Sequence, residues 1–167
     1  MAPSLAHDPI ALARENWRER GWADAADGMA LVTSIMRIQQ ELLSTIDAEL
    51  RSFNLTFARY EVLMLLEFTR RGRLPLGKIG ERLQVHPASV TNVVQRLTDD
   101  GLVHRIPNPD DGRSTLAGIT AEGSRTALAA TELLNHRVFS SLPLDSSDQV
   151  DIYETFATVR HAFGDFT

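Results

Sequence analysis

The segment from Leu74 to Ile119 constrains the fold of this chain more than any other. It begins with two apolar stripes at helical spacing, the first containing Ile79 and the second Val94. The connection between the stripes is tight, and Pro87 stands where proline suits the first position of a helix. His86 stands at the preceding cap position, where Ser or Asp is the more usual residue. The pattern predicts two short helices joined by a brief turn.

Two strand-like runs follow these helices. Gly101 can end the second helix in a left-handed turn, after which Leu102–Ile106 and Thr115–Ile119 have strand character. The intervening Pro107–Gly112 is rich in turn-forming residues and predicts the tip of a hairpin. This order of elements is the layout of a winged helix-turn-helix, in which the second helix enters a DNA major groove and the hairpin, or wing, reaches the neighbouring backbone or minor groove.

The rest of the chain predicts helices, so the expected fold class is mainly α with a small β-hairpin. The predicted helices are a leading one from Asp8 to Gly21, a long one from Met29 to Arg51, one capped by Thr56, one from Thr120 to about Leu142, and a last one from near Ser147.

Composition narrows the class of protein. The 167 residues include 43% hydrophobic residues, which is enough for an ordinary globular core. Cysteine is absent from the sequence, which excludes disulfides, thiolate nucleophiles and Cys-built metal sites. Neither a membrane span nor a secretory signal is recognisable, so we expect a cytoplasmic protein.

Charge is distributed unevenly along the chain. The net charge is −5, yet the stretch from Arg70 to Arg113 carries +3 and the remainder −8. A basic middle with acidic flanks would attract a polyanion through one surface and repel it elsewhere. A chance fluctuation in composition would give the same count.

The outward face of the second short helix carries hydrogen-bonding side chains: Ser89, Thr91, Asn92, Gln95 and Arg96. If Val90, Val93, Val94 and Leu97 face the core, these polar side chains face outward, where all of them can bond to base edges or phosphates. The alternative is an ordinary solvated helix face.

Several segments in order resemble the MarR (multiple antibiotic resistance regulator) family of transcription factors. The similarity runs from about Met29 to the C-terminus, and it is carried by Leu55–Leu63, Leu76–Leu83, Val85–Thr91, Leu97–Val103 and the wing residues Asp110–Arg113 with Ile119 and Thr120. Ile119 stands where the family more often has Leu.

The resemblance implies how DNA would be bound. Arg113 at the wing tip would enter the minor groove or grip phosphate, and Asp111 would hold its guanidinium in place. His86 replaces the family's usual Ser, so it either contacts phosphate or caps the helix. The predicted DNA-binding residues are His86, Pro87, Ser89, Thr91, Asn92, Gln95, Arg96, Asp111 and Arg113.

The resemblance also implies a homodimer on palindromic double-stranded DNA. The expected organisation is an N-terminal helical extension (1–28), dimerisation helices (29–54 and 120–167) and a winged helix-turn-helix domain (55–119). The last predicted helix has an apolar stripe from Val150 to Phe163, and the Trp17 helix has another, which a dimer or an intramolecular core could bury.

Family members are commonly repressors released by a ligand, often a phenolic one. Residues placed to bind such an effector are Met36, Arg37, Gln40, Phe57, Arg59 and Tyr60. Aromatic walls with cations suit an aromatic acid or its acyl-CoA thioester. Because the sequence has no Cys, thiol oxidation cannot be the trigger, so release by a ligand is favoured. An aromatic ligand would indicate a role in aromatic-compound catabolism.

Three other classes of protein fit the sequence less well. The five histidines are scattered and match no catalytic motif or metal-ligand spacing, which disfavours an enzyme or a metal sensor, and no cofactor is expected. A winged-helix module that binds proteins without DNA specificity stays an alternative, although the basic segment and Arg113 disfavour it.

Overall fold

The computed structural model describes residues 5–109, 111 and 114–167. The chain divides into two compact units, one ending at Thr45 and the other comprising Ile46–Thr167. The helices are α1 (Pro9–Glu19), α2 (Ala23–Leu50), α3 (Phe57–Glu67), α4 (Leu76–Leu83), α5 (Pro87–Asp99), α6 (Ala121–Arg137) and α7 (Ser146–Ala162). The strands are β1 (Arg73–Pro75), β2 (Val103–Pro107) and β3 (Thr115–Ile119). The predicted class, mainly helical with a small antiparallel sheet, is confirmed.

The first unit contains α1 and α2 as far as Thr45. Asp8 Oδ1 accepts from the Ile10 backbone N–H at 2.9 Å and so caps α1 as predicted. Asp27 on α2 accepts from Arg14 Nε at 2.5 Å and from Arg18 Nη2 at 3.0 Å, which joins the two helices. The hydrogen bond from Arg14 holds the pKa of Asp27 below its usual value.

The long helix α2 begins at Ala23, six residues before the predicted Met29. Gly28 lies inside the helix, although glycine there costs about 1 kcal/mol relative to alanine. The alanines around it are strong helix formers, and Asp24 in the first turn suits the positive end of the helix dipole. Within the described residues, no helix is both long and apolar enough to cross a bilayer.

The second unit is built around α3, whose Val62, Leu63 and Leu66 are almost fully buried. Asn54 adopts a left-handed conformation, with φ of 54°, just before this helix. Thr56 occupies the N-cap position, but its side chain makes no capping bond. Asp47 of α2 supplies the cap instead, accepting from the Phe57 backbone N–H at 2.7 Å. The prediction that the Thr56 side chain caps this helix is therefore wrong.

The sheet has three strands in the order β1-β3-β2, rather than the two predicted. The predicted hairpin is confirmed, with Val103 opposite Ile119 and Pro107 opposite Thr115. Strand β1 is three residues long and ends in proline, so it has no periodicity of its own to recognise. It forms because Arg73–Pro75 pairs antiparallel with β3.

Helix α6 begins where the hairpin ends, because Thr120 Oγ1 accepts from the Gly123 backbone N–H at 2.9 Å. It ends at Arg137, five residues before the predicted Leu142, because Val138 leaves the helical conformation and Phe139–Ser141 forms a 3-10 turn. The last helix, α7, begins at Ser146, close to the prediction, and buries none of its side chains within the chain.

Candidate nucleic-acid interface

Helices α4 and α5 are joined by a tight turn, as the sequence predicts. Gln84 takes a left-handed φ of 53° and the Val85 N–H donates to the Gly80 carbonyl at 3.1 Å. A Cβ at Gly80 would lie 3.2 Å from the Val85 carbonyl oxygen and 3.4 Å from Val90 Cγ2. Glycine therefore allows the close approach of α4 to α5 that fixes the helix-turn-helix.

Helix α5 has a buried inner face and an exposed outer one. Val90, Val94 and Leu97 are at most 1% exposed, which holds the helix against the core. The predicted DNA-contacting side chains on α5 are all exposed: Pro87, Ser89, Thr91, Asn92, Gln95 and Arg96. The structure therefore brings these residues together on one solvent-facing surface.

His86 caps α5 through its own side chain. Its Nδ1 accepts from the Ala88 backbone N–H at 3.2 Å, and Pro87 occupies the first helical position. Because Nδ1 is the acceptor, the proton of the neutral ring lies on Nε2, which is left as a donor. The sequence allows either a helix cap or a phosphate contact for His86, and the structure shows the helix cap.

Side chains on the outer face of α5 are oriented by one another. Arg96 Nε donates to Asn92 Oδ1 at 3.2 Å, one helical turn away. Gln95 Nε2 donates to Asp99 Oδ1 at 2.8 Å, again four residues along. Both pairs hold long polar side chains in defined positions on the exposed surface.

Arg105 on β2 neighbours this face, although its sequence context indicates only a basic residue. Its Nη1 donates to Gln95 Oε1 at 3.1 Å, which joins the base of the wing to α5. The sequence could not show this contact, because it depends on how the strand packs beside the helix. An exposed guanidinium here adds a basic group beside the predicted DNA-binding face.

The wing tip is closed by hydrogen bonds among its described residues. Asn108 N–H donates to the Ser114 carbonyl at 3.2 Å, and Ser114 N–H donates to the Asp111 carbonyl at 3.0 Å. Asn108 Nδ2 also donates to Ser114 Oγ at 2.7 Å. Asp111 is exposed at this tip. Arg113, the predicted groove-entering residue, and its contact with Asp111 lie outside the described residues.

The six predicted effector-binding residues divide between the two units. In the first unit, Met36, Arg37 and Gln40 are exposed on α2. Arg37 and Gln40 help to line an open groove of ≈ 620 Å³ in this unit. The other residues that line it are Leu5, His7, Asp8, Pro9 and Glu41.

The other three predicted effector-binding residues lie on α3 in the second unit. The Phe57 and Tyr60 rings are stacked with centroids 6.1 Å apart, and Tyr60 Oη lies 3.0 Å from Thr131 Oγ1. Arg59, expected to offer a cation to an anionic ligand, is instead buried and paired with Asp100. The charge of Arg59 and the hydroxyl of Tyr60 are thus engaged by Asp100 and Thr131.

No group of three or more His, Asp or Glu residues in the described part of the chain is arranged to hold a metal ion.

Comparisons with known proteins agree with this geometry. The MarR family model matches residues 55–115. Sco5413, a MarR family transcriptional regulator from Streptomyces coelicolor, is 48% identical, with a TM-score of 0.78 over 84% of this chain and 97% of its own.

Two more distant structures share the fold. Sco3205 from Streptomyces coelicolor, solved in complex with DNA, is 22% identical with a TM-score of 0.72, over 82% of this chain and 88% of its own. The organohalide-sensing regulator RdhR-CbdbA1625, solved with 2,4-dichlorophenol bound, is 20% identical with a TM-score of 0.72, over 79% of this chain and 78% of its own. The chain therefore belongs to the MarR family, whose members are DNA-binding transcriptional regulators rather than enzymes.

Proposed function

We propose that this regulator is a homodimeric repressor that binds a palindromic operator and is released from it by a small aromatic acid or the corresponding acyl-CoA thioester. The observation that carries the DNA-reading part is the outer face of α5, where polar side chains are exposed and held in position while the inner face is buried.

The residues of this face suit sequence reading in a major groove. Asn92 and Gln95 carry amides that can bond bidentately to adenine, and the Arg96 guanidinium can bond to guanine or phosphate. In this proposal His86 Nε2 and the Arg105 guanidinium would donate to the DNA backbone beside the helix. Arg113 on the wing would enter the adjacent minor groove, where negative potential is concentrated.

Dimerisation is supported by the helix α7. Its apolar residues are exposed to a degree that is unusual for a helix of a stable monomer: Val150, Ile152, Tyr153, Phe156, Val159 and Phe163. In our proposal, residues 29–54 and 120–167 form the dimer, residues 55–119 bind DNA and residues 1–28 extend the N-terminus. A two-fold dimer would place its two copies of α5 about 34 Å apart, on half-sites one helical turn apart.

Release by a ligand is supported by the phenol bound to RdhR-CbdbA1625 and by the absence of cysteine from this chain. The ligand would have to favour a DNA-incompetent form, since equal affinity for both forms shifts nothing. Because Arg59 is paired with Asp100, Arg37 is the stronger candidate for the cation that meets a carboxylate. Met36 and Gln40 would supply further contacts from the same helix, and Phe57 and Tyr60 on α3 remain predicted effector-binding residues.

DNA binding is tested by fluorescence anisotropy on the DNA flanking the regulator's own gene and on a scrambled duplex, at two salt concentrations. Arg96→Ala is compared with Arg125→Ala, which removes the same charge from an exposed position on α6. We expect Arg96→Ala to lose about 1–3 kcal/mol of discrimination between operator and scrambled DNA, and Arg125→Ala to lose none. Absence of selective binding by the wild type would favour a protein-interaction module.

Release is tested by adding a panel of aromatic acids and their CoA thioesters to the preformed complex. One compound should dissociate the wild-type complex, and Arg37→Gln should need a higher concentration of it while binding operator normally. Dissociation by none of the panel would contradict the proposed effector class without affecting the DNA-binding proposal.

A further inference from the structure

An ion pair between the buried Arg59 and the partly exposed Asp100 anchors the C-terminal end of α5. Arg59 on α3 is 8% exposed, and its Nη2 donates to Asp100 Oδ2. Arg59 Nη1 donates to the Asn54 carbonyl at 2.6 Å, and Asn54 Nδ2 lies 3.4 Å from Asp100 Oδ2. Asp100 is the C-cap of α5, and its backbone N–H donates to the Arg96 carbonyl at 3.0 Å. The cluster therefore joins three segments of the second unit: α3, the end of α5, and the turn that follows α2.

The Arg59–Asp100 pair is expected to contribute little to the free energy of folding. Burying a guanidinium carries a desolvation penalty that ion pairing often only balances, and well-packed apolar residues in its place are frequently as stable or more so. Arg59 also keeps Nε buried without a hydrogen-bond partner among the described atoms. The pair instead fixes the relative orientation of the segments that it joins. A planar guanidinium bonded to both a carboxylate and a carbonyl allows only a narrow range of geometries.

The two ends of α5 are held by different kinds of contact. Near its start, Gly80 permits close packing against Val90, which fixes the spacing between α4 and α5. At its far end, apolar burial of Leu97 is non-directional, and the hydrogen bond from Arg59 Nη2 to Asp100 Oδ2 is a directional contact with α3. Base-edge hydrogen bonds are short and angle-dependent, so a small rotation of α5 would spoil them while leaving general attraction to phosphates intact.

We propose that Arg59 and Asp100 are positioning residues for DNA reading, which set the angle of α5 in the groove and, through Asn54, link that angle to the end of α2. The inference rests on the proposed role of α5 as the recognition helix. The pair itself does not touch DNA in this account, and it acts through Asn92, Gln95 and Arg96.

The experiment separates positioning from stability with three variants of the full chain. Asp100→Asn keeps the shape of the side chain but removes the charge, and the double variant Arg59→Met with Asp100→Leu replaces the pair by apolar groups. Arg125→Gln, which breaks an exposed ion pair on α6, is the matched control. For each variant we would measure the dimer mass, the thermal midpoint at fixed protein concentration, and affinities for operator and scrambled duplexes well below that midpoint.

Positioning predicts that the double variant keeps or exceeds the wild-type midpoint yet loses at least about tenfold, or about 1.4 kcal/mol, in its operator-to-scrambled affinity ratio. Its affinity for the scrambled duplex should stay within about twofold of wild type, since phosphate contacts supply non-specific binding. A double variant with the wild-type affinity ratio would overturn the inference.

If the double variant does not fold, Asp100→Asn decides in the same way: a lowered affinity ratio supports positioning, and an unchanged ratio contradicts it. Arg125→Gln should leave both the midpoint and the ratio nearly unchanged. A wild-type protein without selective binding would refute the proposed function itself, an outcome that is distinct from any difference between variants.

Discussion

Replacing Gly123 by alanine should damage the junction between α6 and the start of β2. A Cβ at this position would lie 2.1 Å from the Leu102 carbonyl oxygen and 3.0 Å from Ile119 Cγ1. Real Cβ atoms essentially never come within 3.0 Å of such a neighbour, so the first turn of α6 and the strand end would have to separate by about 1 Å. The obstacle is backbone rather than the flexible end of a side chain, so rotamer changes cannot relieve it.

The expected cost follows from the contacts at that junction. Overpacking of this kind typically costs about 1–3 kcal/mol. The separation also stretches the bond from the Thr120 N–H to the Leu102 carbonyl, now 3.0 Å, which contributes about 1 kcal/mol. Alanine offsets at most about 1 kcal/mol through its better helix propensity. Gly123→Ala should therefore lower the free energy of unfolding by about 2 kcal/mol.

Urea unfolding at fixed protein concentration measures this change, with Gly28→Ala as the control. Gly28 also lies in a helix, but no described atom comes within 4 Å of a Cβ built there. The same substitution should consequently stabilise the protein by about 0.5–1 kcal/mol at Gly28. If Gly123→Ala also raised the urea midpoint, the close approach of α6 to Leu102 would be refuted.

Substitutions at three further positions test a helix cap, the core and a half-buried carboxyl group by the same urea assay. Asp47→Ala should cost about 1 kcal/mol, because the Phe57 N–H loses its acceptor, while Asp47→Asn should retain most of the cap. Leu97→Ala should cost about 2–5 kcal/mol, because this side chain is fully buried, and a smaller loss would indicate a looser core. Burial raises the pKa of Glu61, so its carboxylate opposes folding at neutral pH and this opposition disappears as the pH falls through the raised pKa. Glu61→Gln should therefore raise the midpoint at neutral pH, with a gain that shrinks on acidification; a gain independent of pH would contradict the assignment.

Periodicity predicted the parts of the fold that depend on burial along one face. The inner residues of α5 could be recognised because packing imposes a helical period on the sequence. Strands β2 and β3 could be recognised because two strand-like runs lie on either side of a segment rich in turn-forming residues. Strand β1 left no such trace, since it consists of three residues that are held by pairing with β3. The prediction placed the start of α2 at Met29, but the helix begins at Ala23, because the residues that flank Gly28 keep the helix intact.

The polar contacts of the site were less predictable, because they join residues far apart in sequence. The exposed face of α5 followed from its period, whereas the bonds from Arg105 to Gln95 and from Arg59 to Asp100 depend on tertiary packing. Arg59 shows the consequence most clearly. Its charge and its place on α3 suggested a ligand contact, but burial beside Asp100 gives that charge a partner within the chain.

The exposed apolar face of α7 leads to a final expectation about stability. Residues such as Phe156 and Val159 are 40% and 45% exposed in the single chain, although the core formed around α3 is complete without them. A second copy that covers this face would stabilise the folded state by mass action, so the thermal midpoint should rise with protein concentration. Phe156→Asp should abolish that dependence and lower the dimer mass to that of the monomer, while the core helices keep their far-UV circular dichroism. A midpoint that is independent of concentration in the wild type, together with a monomeric mass, would contradict the proposed dimer.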